Sequence, residues 1–453
     1  MEMIAKAVTG LVGAVNGFLW DYALLFLLCG TGIYFSVRLR FVQVRKFGAA
    51  FKAVFGNVKL FGTKADREGM SSFQSLATAI AAQVGTGNIA GAASAIYMGG
   101  PGAIFWMWVS AFFGMATIYG EATLAQKYKT QVDGQVTGGP VYYIQAAFRG
   151  GFGKVLAAAF SVMIILALGF MGNMVQSNSI GVAFYSAFGV NKLLVGVMVA
   201  AVAGFIFLGG VKRIASVTEK IVPIMAAFYV LGSFIIIFGN LANLGSAFAQ
   251  IFVGAFNPQA IAGGVIGLSV QKAIRYGVAR GLFSNEAGMG STPHAHALAK
   301  VEHPCEQGLV AMMGVFIDTF IVLTMTALTI IITDKWNSGL EGVELAQSAF
   351  SSFYGNAGYV FIAISLLFFA FSTIVGWYFF GEQNVKYLFG KGAVKIYAVL
   401  VVIFVVIGST LKVQLVWDLS DMFNGLMVIP NLLGVLALSG VVVSLNQEYE
   451  QKK

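Results

Sequence analysis

Apolar runs separated by short polar segments dominate this chain, and the run lengths set its architecture. After an amphipathic N-terminal segment, apolar stretches fall at 19–37, 71–100, 103–126, 155–184, 193–209 and 221–238. A glycine-rich region at 258–286 follows, then runs at 308–333, 358–380, 396–410 and 422–443. A bilayer core of about 30 Å needs about 20 apolar residues per helix, and an open sheet would strand its backbone polar groups in lipid. The pattern therefore predicts an all-α polytopic membrane protein with about eleven transmembrane helices.

One run departs from the plain membrane pattern. Residues 71–100, SSFQSLATAIAAQVGTGNIAGAASAIYMGG, carry no charge, yet Gln83-Val84-Gly85-Thr86-Gly87-Asn88 puts two glycines and three polar side chains at its centre. Exposed polar groups at that depth cost several kcal/mol, so the segment belongs inside protein or around a small wet cavity. A helix interrupted at Gly85 to Gly87 frees amide donors for an anion and carbonyl ligands for a cation. The competing reading is packing, with Gly87 and Gly91 spaced for close helix approach. A dinucleotide loop is excluded, because no strand precedes these glycines.

Composition and charge sharpen the picture. In 453 residues, 58% are hydrophobic and only 10% charged, outside the soluble range. The net charge of +9 is not a nucleic-acid signal. Alternating the loops across the membrane puts 24 of the 28 Lys and Arg residues on one side, in 38–67, 127–154, 212–220, 272–306, 382–395 and the C-terminal tail. Lys6, Lys192, Lys335 and Lys412 fall on the other. Positive-inside insertion then predicts a cell-membrane protein with its N-terminus outside and its C-terminus cytoplasmic. Lipid is its expected environment, and no obligatory protein partner is evident.

Cys29 in a span and Cys305 in a polar loop suggest no disulfide framework. His294, His296 and His303 share one cytoplasmic loop without metal-ligand spacing, which argues against a catalytic metal. Asp318 lies ten residues into a span and is a candidate second cation site or a structural hydrogen bonder. Glu121 sits near the cytoplasmic end of its span, where snorkelling to water is the simpler reading.

Residues 1–70 form an extra helix and a basic segment, 71–445 a transporter core, and 446–453 a tail. The core divides into five plus five helices of opposite orientation, 71–240 and 258–445. Each half then begins with an interrupted helix, the second within AIAGGVIGLSVQKAIRYGVARG at 260–281. Interrupted segments at matching positions of inverted halves point to a transporter's central site.

The run Arg280-Gly-Leu-Phe-Ser-Asn-Glu-Ala-Gly-Met-Gly-Ser-Thr-Pro293 resembles the RGLFSNEAGxGSxP signature of the sodium:alanine symporter family, and the likeness extends over essentially the whole chain. That family shares the five-plus-five inverted-repeat fold of the bacterial leucine transporter, whose VGxGN sequence is similar to Val84-Gly85-Thr86-Gly87-Asn88. The resemblance implies sodium-coupled uptake of small neutral amino acids, alanine and also glycine, by alternating access. Gly85 and the amides of Thr86 and Gly87 would meet the substrate carboxylate. The carbonyls of Ile266 and Gly267, the Ser269 hydroxyl and Gln83 are the ammonium candidates, with the second break at 267–271 or alternatively at 277–281. Phe170, Asn173 and Trp377 are candidates to limit the cavity.

For the co-transported sodium ion (Na+), a carbonyl at Phe369 with hydroxyls at Ser372 and Thr373 supplies three oxygens from one helix face. By resemblance, the carbonyls of Ala81 and Val84 complete the set. The alternative is that both hydroxyls bond back to their own helix. Another small zwitterion, an ion channel and a membrane enzyme are the competing functions. Unlike interrupted helices in a single chain argue against a channel filter, and mid-membrane amides and hydroxyls argue against an enzyme.

Overall fold

The computed structural model describes residues 2–56, 69–132, 134–261, 269–411 and 413–452. Ile266 and Gly267 lie outside these residues. The helices that matter here are, in chain order, α1 (Thr9–Arg38), α2 (Ser72–Gln83), α3 (Ala92–Gly99), α4 (Gly102–Lys127), α5 (Gly151–Phe188), α6 (Lys192–Phe207), α7 (Gly210–Gly239), α8 (Leu241–Phe256), α9 (Val270–Asn285), α10 (Pro293–Ala297), α11 (Pro304–Ile332), α12 (Gly342–Tyr354), α13 (Asn356–Phe389), α14 (Val394–Gly408), α15 (Val413–Ala437) and α16 (Ser439–Gln451). Among the described residues eight helices are long and apolar enough to cross a membrane, and α6 and α8 are shorter apolar helices. Large apolar side chains such as Phe26, Leu194, Phe205 and Phe238 point outward. This is the burial pattern of a bundle in lipid rather than in water.

Two helices near the centre are interrupted, and they run antiparallel. A capping box starts α2: the Ser71 hydroxyl accepts from the Gln74 amide at 3.0 Å and the Gln74 side chain from the Ser71 amide at 3.1 Å. These bonds satisfy two amides that would otherwise be orphaned at the helix start. The helix ends at Val84, whose ψ of 89° leaves the helical region, and resumes in a wider π turn at Gly87–Gly91 that leads into α3. In the second segment α9 ends at Glu286, a non-glycine residue with φ +58°, and Gly288 and Gly290 at +92° and +79° turn the chain toward α10. Glycine is the residue that takes such angles at little cost.

Contacts at both ends fix the pairing. Near Gly99, an added Cβ would meet Ala273 Cα at 3.1 Å and the Lys272 carbonyl at 3.2 Å. At the other end the Met70 amide donates to Leu298 O at 2.8 Å and the Lys300 amide to Met70 O at 3.0 Å. Lys272 therefore shares the Gly99 end, opposite the basic segment that precedes Met70.

This corrects two sequence expectations. First, 277–281 lies inside the continuous helix α9, and the interruption that meets the first break is at 286–292. Ser269 is the N-cap of α9, its hydroxyl accepting from the Lys272 amide at 3.2 Å, and stands at the far end of that helix from the break. Second, Lys272, Arg275 and Arg280 leave the basic side, which then keeps 21 of 28. The bias survives because Arg275 and Arg280 are paired where they stand, with Asp21 at 2.9 Å and Asp421 at 2.9 Å. His294 and His296 sit buried in α10, and Cys305 is buried at the start of α11, so neither place is an open loop.

Candidate functional site

Glycine lets the first break lie against the last turn of α9 and against α13. A Cβ at Gly87 would lie 3.0 Å from Ser284 Cα, and one at Gly85 would lie 2.3 Å from Thr373 Oγ1. Close packing and an open backbone are thus properties of the same residues. The Gly85 amide donates to Asn88 Oδ1 at 2.9 Å, and the Thr86 amide to Gln176 Oε1 at 3.0 Å. The Gly87 amide has no acceptor among the described residues. Nor does the buried Thr86 hydroxyl have a partner there.

Carboxylates brace this pair of breaks. Asp318 sits in a π turn of α11 (Phe316–Leu323), where the extra residue per turn swings its side chain toward them. Its carboxylate accepts from Asn88 Nδ2 at 2.6 Å, from Ser284 Oγ at 3.0 Å and from Thr319 Oγ1 at 2.8 Å. The same group therefore holds both interrupted helices. Glu121 does not snorkel; it is fully buried and accepts from the amides of Gly288 and Gly290 at 3.0 and 3.1 Å and from Asn431 at 2.5 Å. Two orphan amides of the second break are satisfied this way. Glu286 accepts from the Trp377 indole at 2.5 Å and from the Ser291 hydroxyl. Among the described residues no cationic side chain pairs with Glu121, Glu286 or Asp318.

Oxygens converge beside the first break. Thr373 Oγ1 donates to Ala81 O and Phe369 O, each at 3.0 Å, and lies 3.5 Å from Val84 O. Ser372 Oγ lies 3.2 Å from Ala81 O and 2.9 Å from Phe369 O. Both sequence readings describe the same cluster: the hydroxyls bond back to their own helix and also face the carbonyls of α2. A hard cation prefers such an all-oxygen set.

Among the other expected residues, Asn173 is fully buried, donates to Gly169 O at 3.1 Å and leaves its Oδ1 unpartnered. Trp377 lies over Gly172, where a Cβ would come within 2.4 Å of the ring, and edge-on to Phe283 at 5.6 Å. Gln83 donates to Asn285 O at 2.7 Å, which ties it to the second break. The Phe170 ring meets Tyr397 and Phe404, at 5.8 and 4.7 Å. Gln176, Ser284 and Glu286 were not singled out from sequence. Their partners are distant in the chain, and the available signal was polarity within apolar runs.

The breaks are enclosed between two cavities. One of about 530 Å3 at the Gly99 end is lined by Arg275, Arg280, Glu341, Trp417 and Asp421, and one of about 490 Å3 at the Met70 end by Gly69, Leu298, Glu382 and Lys386. Residues 84–87 line neither of these cavities. Beneath the first, the Arg280 guanidinium stacks on Trp417 at 4.8 Å while Phe283 meets the same indole at 5.0 Å. Phe283 then separates that cavity from Gly87, whose Cβ position is 3.3 Å from its ring.

A family model described as the sodium:alanine symporter family matches residues 5–453. The chain is 44% identical over 447 residues to the sodium/alanine symporter AgcS of Methanococcus maripaludis, covering 97% of each protein. It is 42% identical to the probable sodium/glutamine symporter GlnT of Bacillus subtilis, covering 98% of this chain and 91% of that one. Among solved structures it resembles MhsT in complex with L-phenylalanine, with a TM-score of 0.57 and 14% identity over 85% of this chain and 98% of that one. A manganese transporter of Eremococcus coleocola matches with a TM-score of 0.52 and 14% identity, covering 82% of this chain and 78% of that one. These two likenesses support the leucine-transporter type of fold.

Proposed function

Because the chain belongs to the sodium:alanine symporter family, and is a multi-pass membrane transporter rather than an enzyme, we propose that it carries small neutral amino acids, alanine first and glycine second, into the cell with sodium by alternating access. The observation that carries this reading is the set of five oxygens from Ala81, Val84, Phe369, Ser372 and Thr373 beside a broken helix with an unclaimed amide. The oxygens suit sodium, and the Gly87 amide and Thr86 hydroxyl suit a carboxylate at the positive end of the outer half-helix. Asn173 Oδ1 suits the ammonium. Trp377, packed on Gly172 and edge-on to Phe283, is the bulky side chain that would limit the substrate, which favours alanine over the glutamine named for the Bacillus relative.

Asp318 is the candidate for a second cation. A buried carboxylate with no protein cation beside it is costly when ionised, so a proton or a second sodium ion belongs with it during the cycle. Basic residues enriched at the Met70 end make that end cytoplasmic, with the N-terminus outside. The decisive experiment is binding of labelled alanine to the purified protein, with glycine, leucine and glutamine as competitors, with and without sodium. Sodium-dependent alanine binding displaced by glycine but not by leucine or glutamine is the expected result. Binding that ignores sodium refutes the reading.

A further inference from the structure

The chain that follows the first span carries an apolar and basic surface that the described residues leave uncovered. α1 ends at Arg38, and Arg40 and Phe41 follow with φ of +53° and +52°, two left-handed residues in a row without a glycine. Such angles persist only where the surroundings enforce them. Arg45 does so here: its guanidinium donates to Arg40 O at 2.8 Å and to Leu39 O at 3.2 Å, and pairs with Glu450 at 2.8 Å.

The turn leads into a short helix, Phe47–Phe55, with two unlike faces. Ala50 and Val54 are buried, and the Phe47 ring meets Phe316 edge-on at 4.9 Å, at the start of the π turn that carries Asp318. On the opposite face Phe51 and Phe55 stand 51% and 46% exposed, with their rings 4.7 Å apart and Lys52 beside them. Phe41 and Val44, just before this helix, are exposed as well. Glu450 takes Arg45 and Lys46, but among the described residues no acid pairs with Arg38, Arg40 or Lys52.

Water does not suit the exposed phenylalanines, and hydrocarbon does not suit three unpaired cations. The boundary between headgroups and acyl chains suits both, since the rings enter the acyl region while Lys and Arg reach the phosphates. A zwitterionic headgroup offers these cations no net charge, and an anionic one does.

We infer that this segment is a binding site for anionic phospholipid, with Arg38, Arg40 and Lys52 on the headgroup phosphates and Phe51 and Phe55 against the acyl chains. In the orientation proposed above the lipid belongs to the cytoplasmic leaflet. It stands one aromatic contact, Phe47 on Phe316, from the turn that carries Asp318.

The test uses the full-length protein in phosphatidylcholine nanodiscs, with a fluorophore on Cys at the exposed Ala49 in a cysteine-free background. A small fraction of spin-labelled phosphatidylglycerol or spin-labelled phosphatidylcholine serves as the quencher, and the ratio of their quenching reads local enrichment. Each cation near the surface favours anionic lipid by about fivefold, so the three together should enrich phosphatidylglycerol by up to about a hundredfold at low salt, and added salt should weaken this. Lys52→Gln should lower the preference by about fivefold, and Arg38→Gln with Arg40→Gln and Lys52→Gln should abolish it. Lys395→Gln, on α14 and also at the basic end, should leave it unchanged. Equal quenching by the two lipids, a preference that survives loss of all three cations, or an equal fall in Lys395→Gln overturns the assignment. A label shielded from both lipids in discs that hold two copies would put a second copy of the chain on this face, and overturns it as well.

Discussion

Thr373→Val removes one oxygen from the cation cluster and nearly preserves shape. In the structure the five oxygens stand 2.9 to 3.5 Å from their neighbours. Ligands at about 2.3–2.6 Å from a hard cation, at right angles, would stand about 3.3–3.7 Å apart. The cluster is slightly tighter because its hydroxyls hydrogen-bond its carbonyls, and a small outward shift accommodates an ion. An interaction between a hydroxyl and a full charge is worth about 1.5–3 kcal/mol, so the sodium midpoint should rise by about tenfold to a hundredfold. Linkage requires alanine affinity at limiting sodium to fall by the same coupling, and raising sodium should recover it. The assay is labelled alanine binding across a sodium titration for Thr373→Val and Ser372→Ala. If the hydroxyls only bond back to Phe369, each variant loses about 1 kcal/mol of stability and keeps its sodium midpoint. Unchanged midpoints in both refute the site.

The placement of α9 predicts that, in a cysteine-free background, Cys at Ser338 or Lys272 reacts with an impermeant thiol reagent from outside and Cys at Ser216 does not. Labelling of Lys272→Cys only after permeabilisation would reverse the antiparallel pairing. Gly87→Ala crowds the Ser284 backbone at 3.0 Å, and Gly87→Val does so further, so alanine binding should fall by about tenfold or more while the protein still reaches the membrane. Normal transport by Gly87→Val would place the carboxylate elsewhere. Glu121→Leu strands the Gly288 and Gly290 amides and Asn431, and should lower stability by about 3 kcal/mol or more, measured by thermal unfolding in detergent. Glu121→Gln, which keeps an acceptor, should lose less, and a Leu variant as stable as the parent would show the brace to be idle.

The first break was legible because glycines and polar side chains coincide at the centre of an uncharged run, a combination lipid does not tolerate. The cation oxygens were legible for a related reason, since hydroxyls at i+3 and i+4 share a face with the carbonyl at i. Of the two placements for the second break, 277–281 falls inside α9, and 267 and 268 of the other lie outside the described residues. Lys272, Arg275 and Arg280 suggested a half-helix leading to the cytoplasm, and the acids that pair with two of them, Asp21 and Asp421, come from other spans and leave no local trace. The signal that marked the true break, Glu286 with Gly288 and Gly290, was present as part of a family signature but was not read as backbone geometry. Glu121 was named but read as snorkelling, and Gln176 was missed, for a different reason. A buried amide or carboxylate looks the same in sequence whether it faces water, lipid headgroups or an orphan amide on another helix.

Asp318 receives hydrogen bonds from Asn88 on one interrupted helix and Ser284 on the other, so it works as a fulcrum. The half-helix from Gly87 to Gly99 has thirteen residues, an arm of about 18 Å over twelve steps of about 1.5 Å. A tilt of about 10° about that point moves Gly99 by about 3 Å, and the Asn88 contact by a small fraction of that. Near Gly99 the α9 backbone comes within 3.2 Å of the Cβ position, so a swing of one arm presses on the other. Such a tilt would move the rim by about 3 Å while the ligands at the pivot shift by only a small fraction of that.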